Sequence, residues 1–84
     1  MTVIIYSKPN CSYCRKAKAF FEMRNIEYVE RTVGVDTTRE QLLEAAPNAR
    51  TVPQIFINNT LIGGYNELMK YVENTGYNGT GYSL

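Results

Sequence analysis

The amino-acid sequence predicts a small α/β domain whose elements follow the order β-α-β-α-β-β-α. Short β-branched segments alternate with stretches of helical periodicity, and turn-forming residues separate them. The 84 residues suit a single core, and 44% hydrophobic with 20% charged residues is ordinary globular composition. The first β-α-β unit requires a parallel strand pair with a right-handed crossover, and the last two strands form a hairpin. We therefore expect a four-stranded mixed sheet flanked by three helices.

The first strand is predicted over residues 2–6, where the side chains are β-branched or aromatic. A turn at residues 8–10 leads into a helix that begins at residue 11 or 12 and ends at residue 24 or 25. The positions that share the apolar face of this helix are Cys14, Ala17 and Phe21, with Phe20 beside them. Residues 26–33 alternate in character and predict a second strand.

The middle of the chain predicts a second helix. A turn at Gly34 and Asp36 precedes Thr37 and Glu40, which fit a capping box at a helix start. The apolar face of this helix comprises Leu42, Leu43 and Ala46. Pro47 and Asn48 end it, because proline cannot continue a helix.

The last third of the chain predicts a hairpin and a third helix. A strand over residues 52–57 is followed by a tight turn at residues 58–59 and a short strand at residues 61–62. The third helix follows Gly63-Gly64, and its apolar face comprises Tyr65, Leu68, Met69 and Val72. Residues 74–84 show no periodicity, so we expect a folded domain over residues 1–77 and a flexible tail over residues 78–84.

Composition excludes several classes of function. The chain contains no histidine, which removes Ser-His-Asp triads and Cys-His proteases. Its formal net charge of +1 gives no indication of a nucleic-acid partner. No apolar run is long enough for a membrane span or a secretory leader, so we expect a cytoplasmic protein. The charge is uneven, however, because residues 1–21 carry four cations and no carboxylate.

Cys11 and Cys14 form the one constellation with chemical content. A cysteine in the first turn of a helix faces free N–H groups and the positive end of the helix dipole, both of which favour thiolate over thiol. Lys8, Arg15 and Lys16 add favourable charge, so we expect a pKa of the Cys11 thiol well below the usual ~8.5. Cys14 lies on the same helical face, within reach of a disulfide. Cys11 would attack a substrate disulfide, and Cys14 or an external thiol would resolve the mixed disulfide.

The cysteine pair has two other interpretations. A structural zinc site needs four ligands, whereas this chain offers two thiols and no imidazole, so no metal is expected. Two inert buried cysteines are the second alternative, and the basic surroundings and the position after the first strand argue against it.

The chain resembles the glutaredoxins of the thioredoxin-fold superfamily. Three blocks carry the resemblance, namely residues 6–14 (YSKPNCSYC), 51–57 (TVPQIFI) and 62–68 (IGGYNEL). They occur in the family's order and separation and cover residues 2 to about 73. The resemblance implies a thioredoxin fold and a glutathione-dependent thiol–disulfide oxidoreductase that reduces protein and glutathione-mixed disulfides.

The resemblance also implies roles for individual residues. Cys11 would be the nucleophile, Cys14 the resolving thiol, and Pro53 a cis-proline that faces them. The other residues implied to contact glutathione are Lys8, Tyr13, Arg50, Thr51, Val52, Gly64, Tyr65 and Asn66. Arg39 is interpreted as a surface charge. The implied partners are glutathione and disulfide-containing proteins such as ribonucleotide reductase, bound by a monomer.

Two departures from the family pattern keep alternatives open. Ser12 stands where the family most often has proline, and its hydroxyl is expected to cap the helix. Some members with a small residue here assemble an iron–sulfur cluster between two subunits with glutathione, so a cluster carrier is one alternative. Glu67 replaces the usual Asp. A redoxin coupled to thioredoxin reductase is the other alternative function.

Overall fold

The computed structural model describes residues 2–76, and the predicted tail over residues 78–84 lies outside them. The strands are β1 (Val3–Ser7), β2 (Val29–Thr32), β3 (Gln54–Ile57) and β4 (Thr60–Gly63), and the helices are α1 (Ser12–Met23), α2 (Arg39–Ala45) and α3 (Tyr65–Thr75). The predicted order of elements is confirmed. No helix within residues 2–76 is long and apolar enough to cross a membrane.

The four strands form one mixed sheet in the order β2-β1-β3-β4. β1 pairs with β2 in parallel, as the β-α-β crossover requires, and with β3 in an antiparallel register that places Ile5 opposite Ile55. β3 and β4 form the predicted hairpin, with a register shift between Ile55 and Phe56. Asn58 and Asn59 both have positive φ, as a tight hairpin turn requires. The predicted fold class, a thioredoxin fold, is confirmed.

The sheet carries a core on each face, because side chains alternate along β1 and β3. The main core lies under α1 and α3 and buries Val3, Ile5, Ala17, Phe20, Phe21, Ile26, Ile55, Ile57 and Leu68. The core under α2 is much smaller, with only Tyr6, Leu42 and Ala46 buried. Half-buried side chains such as Val33, Val52 and Phe56 pack against it. The α2 face of the sheet is therefore thinly covered.

Several predicted boundaries are wrong by one to three residues, for example the start of β3, which is Gln54 rather than residue 52. The cap of α2 is Thr38, whose hydroxyl accepts from the Gln41 N–H at 3.1 Å while Gln41 Oε1 accepts from the Thr38 N–H. Thr37, the predicted cap, is buried and forms a β-bridge with Val33 instead. β2 begins at Val29 rather than residue 26, because Ile26 is buried against α1.

The third helix is also longer than the periodicity indicates. α3 continues through Asn74 and Thr75, which the sequence assigns to an aperiodic segment. The Thr75 hydroxyl donates to the Tyr71 carbonyl at 2.6 Å, which keeps this polar residue compatible with the helix. Gly76 then ends the helix in the left-handed conformation that favours glycine, with φ of 68°.

Candidate active site around Cys11 and Cys14

The two cysteines lie where β1 passes into α1. Cys11 is the N-cap residue in extended conformation, Cys14 is in the first turn, and a disulfide joins them. Cys14 is only 1% exposed, whereas Cys11 is half-buried. An approaching disulfide can therefore reach the sulfur of Cys11 but not that of Cys14. This difference in access agrees with the predicted roles of nucleophile and resolving thiol.

The helix end surrounds the sulfur of Cys11 with positive polarity. The Cys14 N–H donates to Cys11 Sγ at 3.1 Å, so the sulfur occupies the position that a serine or aspartate oxygen takes in an ordinary cap. The first turn of α1 contains no acidic residue. The Val52 carbonyl oxygen also contacts this sulfur, at 3.7 Å from Cys11 Sγ. The expected cap by Ser12 is wrong, because Cys11 itself fills that position.

The cations near the cysteines differ in their surroundings. Lys16 Nζ lies 5.1 Å from the Tyr13 ring centroid and 5.9 Å from that of Tyr65. The two rings are 6.0 Å apart, so they form an aromatic wall beside the lysine. Lys18 is in a salt bridge with Glu30 at 2.9 Å. The predicted positive region thus consists of Lys8, Arg15 and Lys16, with Lys18 compensated.

A cavity of about 290 Å³ lies beside Cys11, and we call it the Tyr13 groove. Its lining residues are Tyr13, Thr51, Val52, Pro53, Gly64, Tyr65, Asn66 and Glu67. Seven of these belong to the set that the family resemblance implies for glutathione. The Val52–Pro53 peptide bond is cis, as expected. The groove lies next to Cys11, because the carbonyl of its lining residue Val52 is in contact with the Cys11 sulfur.

The other two predicted binding residues lie on a second cavity. Lys8 and Arg50 line a cleft of about 510 Å³ against α2, where they meet Thr51 and Val52. The structure thus divides the predicted residues between two cavities that share Thr51 and Val52. Sequence reasoning placed all of them in one site, because a linear motif does not show how a binding surface divides.

Glu67 closes the N-terminus of α3, an arrangement that the sequence analysis missed. Its Oε1 accepts a hydrogen bond from the Gly64 N–H at 2.8 Å. The sequence does contain an indication of this arrangement. Glu67 lies three residues after Gly64, the N-cap of α3, and a glutamate at that spacing is one half of a capping box. The family's Asp has a shorter side chain, and the longer one of Glu67 folds back over Gly63 and Gly64.

A polar network beneath the cysteines was also missed. Ser7 is 1% exposed, and its hydroxyl donates to Glu30 Oε2 at 2.6 Å, an oxygen that also accepts from Lys18. The pKa of the Glu30 carboxyl lies below its usual value because of these two hydrogen bonds, and the bond from Ser7 is the larger cause. Glu30 and Lys18 line a cavity of about 280 Å³ together with both cysteines. The pair is twelve residues apart on α1 and β2, so no local pattern indicates it.

Metal binding is an alternative use of the two thiols. Within residues 2–76, no three Asp, Glu, His or Cys side chains are grouped closely enough to hold a metal ion. The predicted absence of a metal stays a prediction.

The fold and the dithiol define a thiol–disulfide oxidoreductase with the thioredoxin fold. Residues 3–62 match the family model "Glutaredoxin". The chain belongs to the glutaredoxin family. The predicted family and the predicted enzyme class are both confirmed.

Individual relatives agree with this assignment. The chain is 39% identical to Glutaredoxin 1 of Rickettsia prowazekii over 69 residues, which cover 80% of this chain and 73% of that protein. The crystal structure of Glutaredoxin 1 from Francisella tularensis, complexed with cacodylate, matches with a TM-score of 0.73 at 32% identity, covering 87% of this chain and 93% of that one. A buckwheat glutaredoxin–glutathione complex matches with a TM-score of 0.69 at 28% identity, covering 86% and 68%.

Proposed function

We propose that this thiol–disulfide oxidoreductase depends on glutathione and reduces both glutathione-mixed disulfides and protein disulfides. The observation that carries the proposal is the Tyr13 groove, which adjoins Cys11 through the Val52 carbonyl and contains seven of the nine residues implied for glutathione. A binding site at this position lets a bound tripeptide present its own sulfur to Cys11. The buckwheat relative, a glutaredoxin in complex with glutathione, supports the same ligand.

The groove offers groups that suit the parts of glutathione. Val52 lies two residues before β3, and its strand-end position supports pairing of its main chain with an extended peptide. The N-terminus of α3 attracts a carboxylate through the N–H groups of Tyr65 and Asn66, since the Gly64 N–H already donates to Glu67. Lys8 and Arg50 are exposed cations at the other side of Val52 and suit the second carboxylate. Tyr13 and Tyr65 form the apolar wall beside the sulfur.

The proposed reaction with a glutathione-mixed disulfide has two exchange steps. The Cys11 thiolate attacks the glutathione sulfur, forms a Cys11–glutathione disulfide and expels the substrate as its thiolate, which takes a proton from water. A second glutathione thiolate then attacks that disulfide, releases oxidised glutathione and restores the Cys11 thiolate. The cycle consumes one free glutathione, because the mixed disulfide and glutathione give the substrate thiol and oxidised glutathione, half of which comes from the substrate. Cys14 takes no part in this route.

Reduction of a protein disulfide would use both cysteines. Cys11 attacks and forms a mixed disulfide with one protein sulfur, and the other protein sulfur leaves as a thiolate. The Cys14 thiolate then attacks the Cys11 sulfur of this mixed disulfide. The protein sulfur that was bound to Cys11 leaves as a thiolate, and the Cys11–Cys14 disulfide present in the structure remains. The burial of Cys14 restricts it to this intramolecular step. Two glutathione molecules then regenerate the dithiol.

The proposed setting is a reducing cytoplasm. Glutaredoxins have potentials of roughly −200 to −230 mV, close to the glutathione pool of that compartment. One chain supplies both cysteines and the complete Tyr13 groove, which supports action as a monomer. Family membership supports a disulfide of an enzyme such as ribonucleotide reductase as a physiological substrate.

The test is turnover in the hydroxyethyl disulfide assay. We expect activity with glutathione and glutathione reductase and none with thioredoxin reductase, and the reverse result would support the redoxin alternative. Cys11→Ser should abolish all exchange, because it removes the nucleophile. Cys14→Ser should keep reduction of the glutathione-mixed disulfide and lose reduction of protein disulfides. Equal loss of both activities in Cys14→Ser would contradict the assigned roles.

A further inference from the structure

The cavity of about 280 Å³ beneath the two cysteines, which we call the Glu30 cavity, contains a charge pair that the proposed reaction does not use. It lies between α1 and β2, because both elements contribute to its lining. Besides the cysteines, its ionisable side chains are Lys8, Arg15, Lys18 and Glu30. Among the described residues that line it, Glu30 is the one carboxylate. Three cations therefore share the cavity with a single anion.

Two side chains hold the Glu30 carboxylate in the wall of this cavity. Ser7, the last residue of β1, is 1% exposed, and its hydroxyl donates to Glu30 Oε2 at 2.6 Å. Lys18 Nζ donates to the same oxygen at 2.9 Å. Because the bond from Ser7 is buried and does not involve the lysine, the carboxylate should keep its position when the Lys18 charge is removed.

Cys14 lies one helical turn from Lys18, whereas Cys11 lies two turns away. Residues four apart on a helix are neighbours on one face, with about 5–6 Å between their Cβ atoms. A cation at this distance favours the thiolate over the thiol. Cys14 is 1% exposed, so water and salt screen that attraction only weakly. The carboxylate of Glu30, which is bonded to Lys18, opposes the attraction.

The cations on the Cys11 side have no such compensation. Lys8 and Arg15 are exposed, and Lys18–Glu30 is the one salt bridge within residues 2–76. Lys8 and Arg15 therefore act together with the helix end in favour of the Cys11 thiolate. The charges around the two sulfurs thus differ, since they are net positive at the first cysteine and balanced at the second.

Other ionisable groups near the pair leave this balance unchanged. Tyr28 is uncharged at neutral pH, because burial and its hydrogen bond to Glu22 raise its pKa to about 12. Glu67, on α3, lines the Tyr13 groove and accepts from the Gly64 N–H. Neither Tyr28 nor Glu67 lines the Glu30 cavity.

We propose that Glu30 is a positioning residue that neutralises Lys18 and thereby keeps Cys14 in the thiol form, which delays its attack on a disulfide formed at Cys11. The delay gives a second glutathione time to attack a Cys11–glutathione disulfide. Glu30 would thus set how turnover divides between the glutathione route and the route through both cysteines. The inference rests on the proposed function, because it assumes that both routes operate.

The step concerned requires Cys14 to lose a proton, since the thiolate and not the thiol is the nucleophile. The proton passes to water. The Cys14 sulfur then attacks the Cys11 sulfur, and the bond between Cys11 and the substrate sulfur breaks as the Cys11–Cys14 bond forms. The substrate sulfur leaves as a thiolate and takes up a proton. Over both exchange steps the two cysteines lose two electrons and the substrate disulfide gains them.

The experiment follows a single turnover of the fully reduced protein with an equimolar amount of dithiobis(nitrobenzoate). Attack by Cys11 releases one coloured nitrothiobenzoate, and attack by Cys14 on the resulting mixed disulfide releases the other. Because Cys14 is buried, the second release is intramolecular, and its rate should not depend on concentration. The two phases therefore report the two sulfurs separately, and neither needs glutathione.

Two variants change the charge pair in opposite directions. Glu30→Gln leaves the Lys18 cation uncompensated, so the pKa of the Cys14 thiol should fall by about one unit. The thiolate fraction then rises about tenfold while its nucleophilicity falls about threefold, so the second phase at pH 7 should be about threefold faster. Lys18→Gln leaves the Glu30 anion uncompensated, and the second phase should be about threefold slower. The first phase should change little in both variants, because Cys11 is already mainly thiolate at pH 7.

The opposite signs separate this role from a structural one. Both variants break the same salt bridge, so a merely structural role would shift the second phase in the same direction in both. The midpoint of the pH profile of the second phase should also be about one pH unit lower in Glu30→Gln and about one unit higher in Lys18→Gln. Changes of the same sign, or no change in either variant, would overturn the inference.

The matched controls are Glu73→Gln and Lys70→Gln, which make the same changes of charge at exposed positions of α3. Both controls should leave the two phases unchanged. Effects equal to those of Glu30→Gln and Lys18→Gln would attribute the result to net charge and overturn the inference.

The same measurement separates the two proposals. If the wild-type protein shows no second phase, Cys14 does not resolve mixed disulfides, and the route through both cysteines fails together with this inference. If the second phase is present but insensitive to the Lys18–Glu30 pair, the proposed function stands and only the inference is overturned. The hydroxyethyl disulfide assay tests the glutathione route independently of either result.

Discussion

The main-chain N–H of Cys14 donates to the sulfur of Cys11 at 3.1 Å. In the reduced protein the same donor faces a thiol or a thiolate, and it stabilises the thiolate because the charged acceptor forms the stronger hydrogen bond. The first turn of α1 contains no acidic residue to oppose this preference. The cap of α1 and the proposed nucleophile are therefore the same sulfur atom.

Ser12→Pro is expected to stabilise the protein. Ser12 is the first residue of α1, where proline is well tolerated because the N–H has no partner within the helix. Cys11 precedes it with φ of −105° and ψ of 109°, the extended conformation that proline requires of its neighbour. The free energy of unfolding should rise by about 0.4–1 kcal/mol in urea titrations. Ser12→Ala is the control, and a loss of stability in Ser12→Pro alone would show that the Ser12 N–H has a native acceptor.

Gly64→Ala is expected to impair glutathione binding without unfolding the domain. Gly64 has φ of −83° and ψ of −168°, which alanine adopts readily. The added methyl group would lie 3.0 Å from Glu67 Oε1 and 3.6 Å from the Pro53 carbonyl, at the wall of the Tyr13 groove. The KM for glutathione should rise about tenfold, the effect of about 1.4 kcal/mol of crowding.

Gly34→Ala provides the opposite pattern and serves as the control. Gly34 has φ of 91° with nothing within 4 Å of the added methyl group, so alanine there meets backbone strain but no neighbour. Unfolding should become easier by about 1–3 kcal/mol while the KM stays unchanged. An unchanged KM in Gly64→Ala would contradict the placement of glutathione in the Tyr13 groove.

Glu30→Gln is expected to lower stability in a pH-dependent way. Hydrogen bonds from Ser7 and Lys18 lower the pKa of Glu30 in the folded protein below its ordinary value of 4.5. A lowered pKa contributes stability above the pKa of the unfolded chain, and that stability is lost as the pH falls through the folded value. At pH 7 the variant should lose about 1 kcal/mol, since both partners are partly exposed.

The measurement for Glu30 is the free energy of unfolding of wild type and variant between pH 7 and pH 3. The difference between them should shrink as the pH falls below about 4.5. Glu73→Gln, at an exposed position of α3, should leave stability almost unchanged throughout. A difference for Glu30→Gln that is constant with pH would show that the carboxylate charge does not stabilise the fold.

Much of the fold could be predicted because its elements have distinct periodicities. Cys14, Ala17 and Phe21 repeat at helical spacing and are all buried, as expected. The capping box could not be placed, because Thr37 and Thr38 are each followed three residues later by Glu or Gln. The choice between them depends on the bridge from Thr37 to Val33, which is a tertiary contact.

The site was predictable only as a set of residues. Local motifs indicated Cys11, Tyr13 and Pro53, and the structure brings them to one end of the sheet. The division into two grooves depends on how α2 packs against the sheet. The sequence does not predict this packing, because α2 has only seven residues and few of its side chains are buried. The Lys18–Glu30 pair joins distant parts of the chain and appears only once β2 pairs with β1.

The central claim is tested most directly by the pH dependence of Cys11 alkylation in the reduced Cys14→Ser variant. Iodoacetamide should label Cys11 rapidly in mildly acidic solution, with the rate reaching half its maximum below about pH 7.5, because the helix end and Lys8 stabilise the thiolate. A rate no faster than that of a free model thiol, with a midpoint near the ordinary value of about 8.5, would contradict the account.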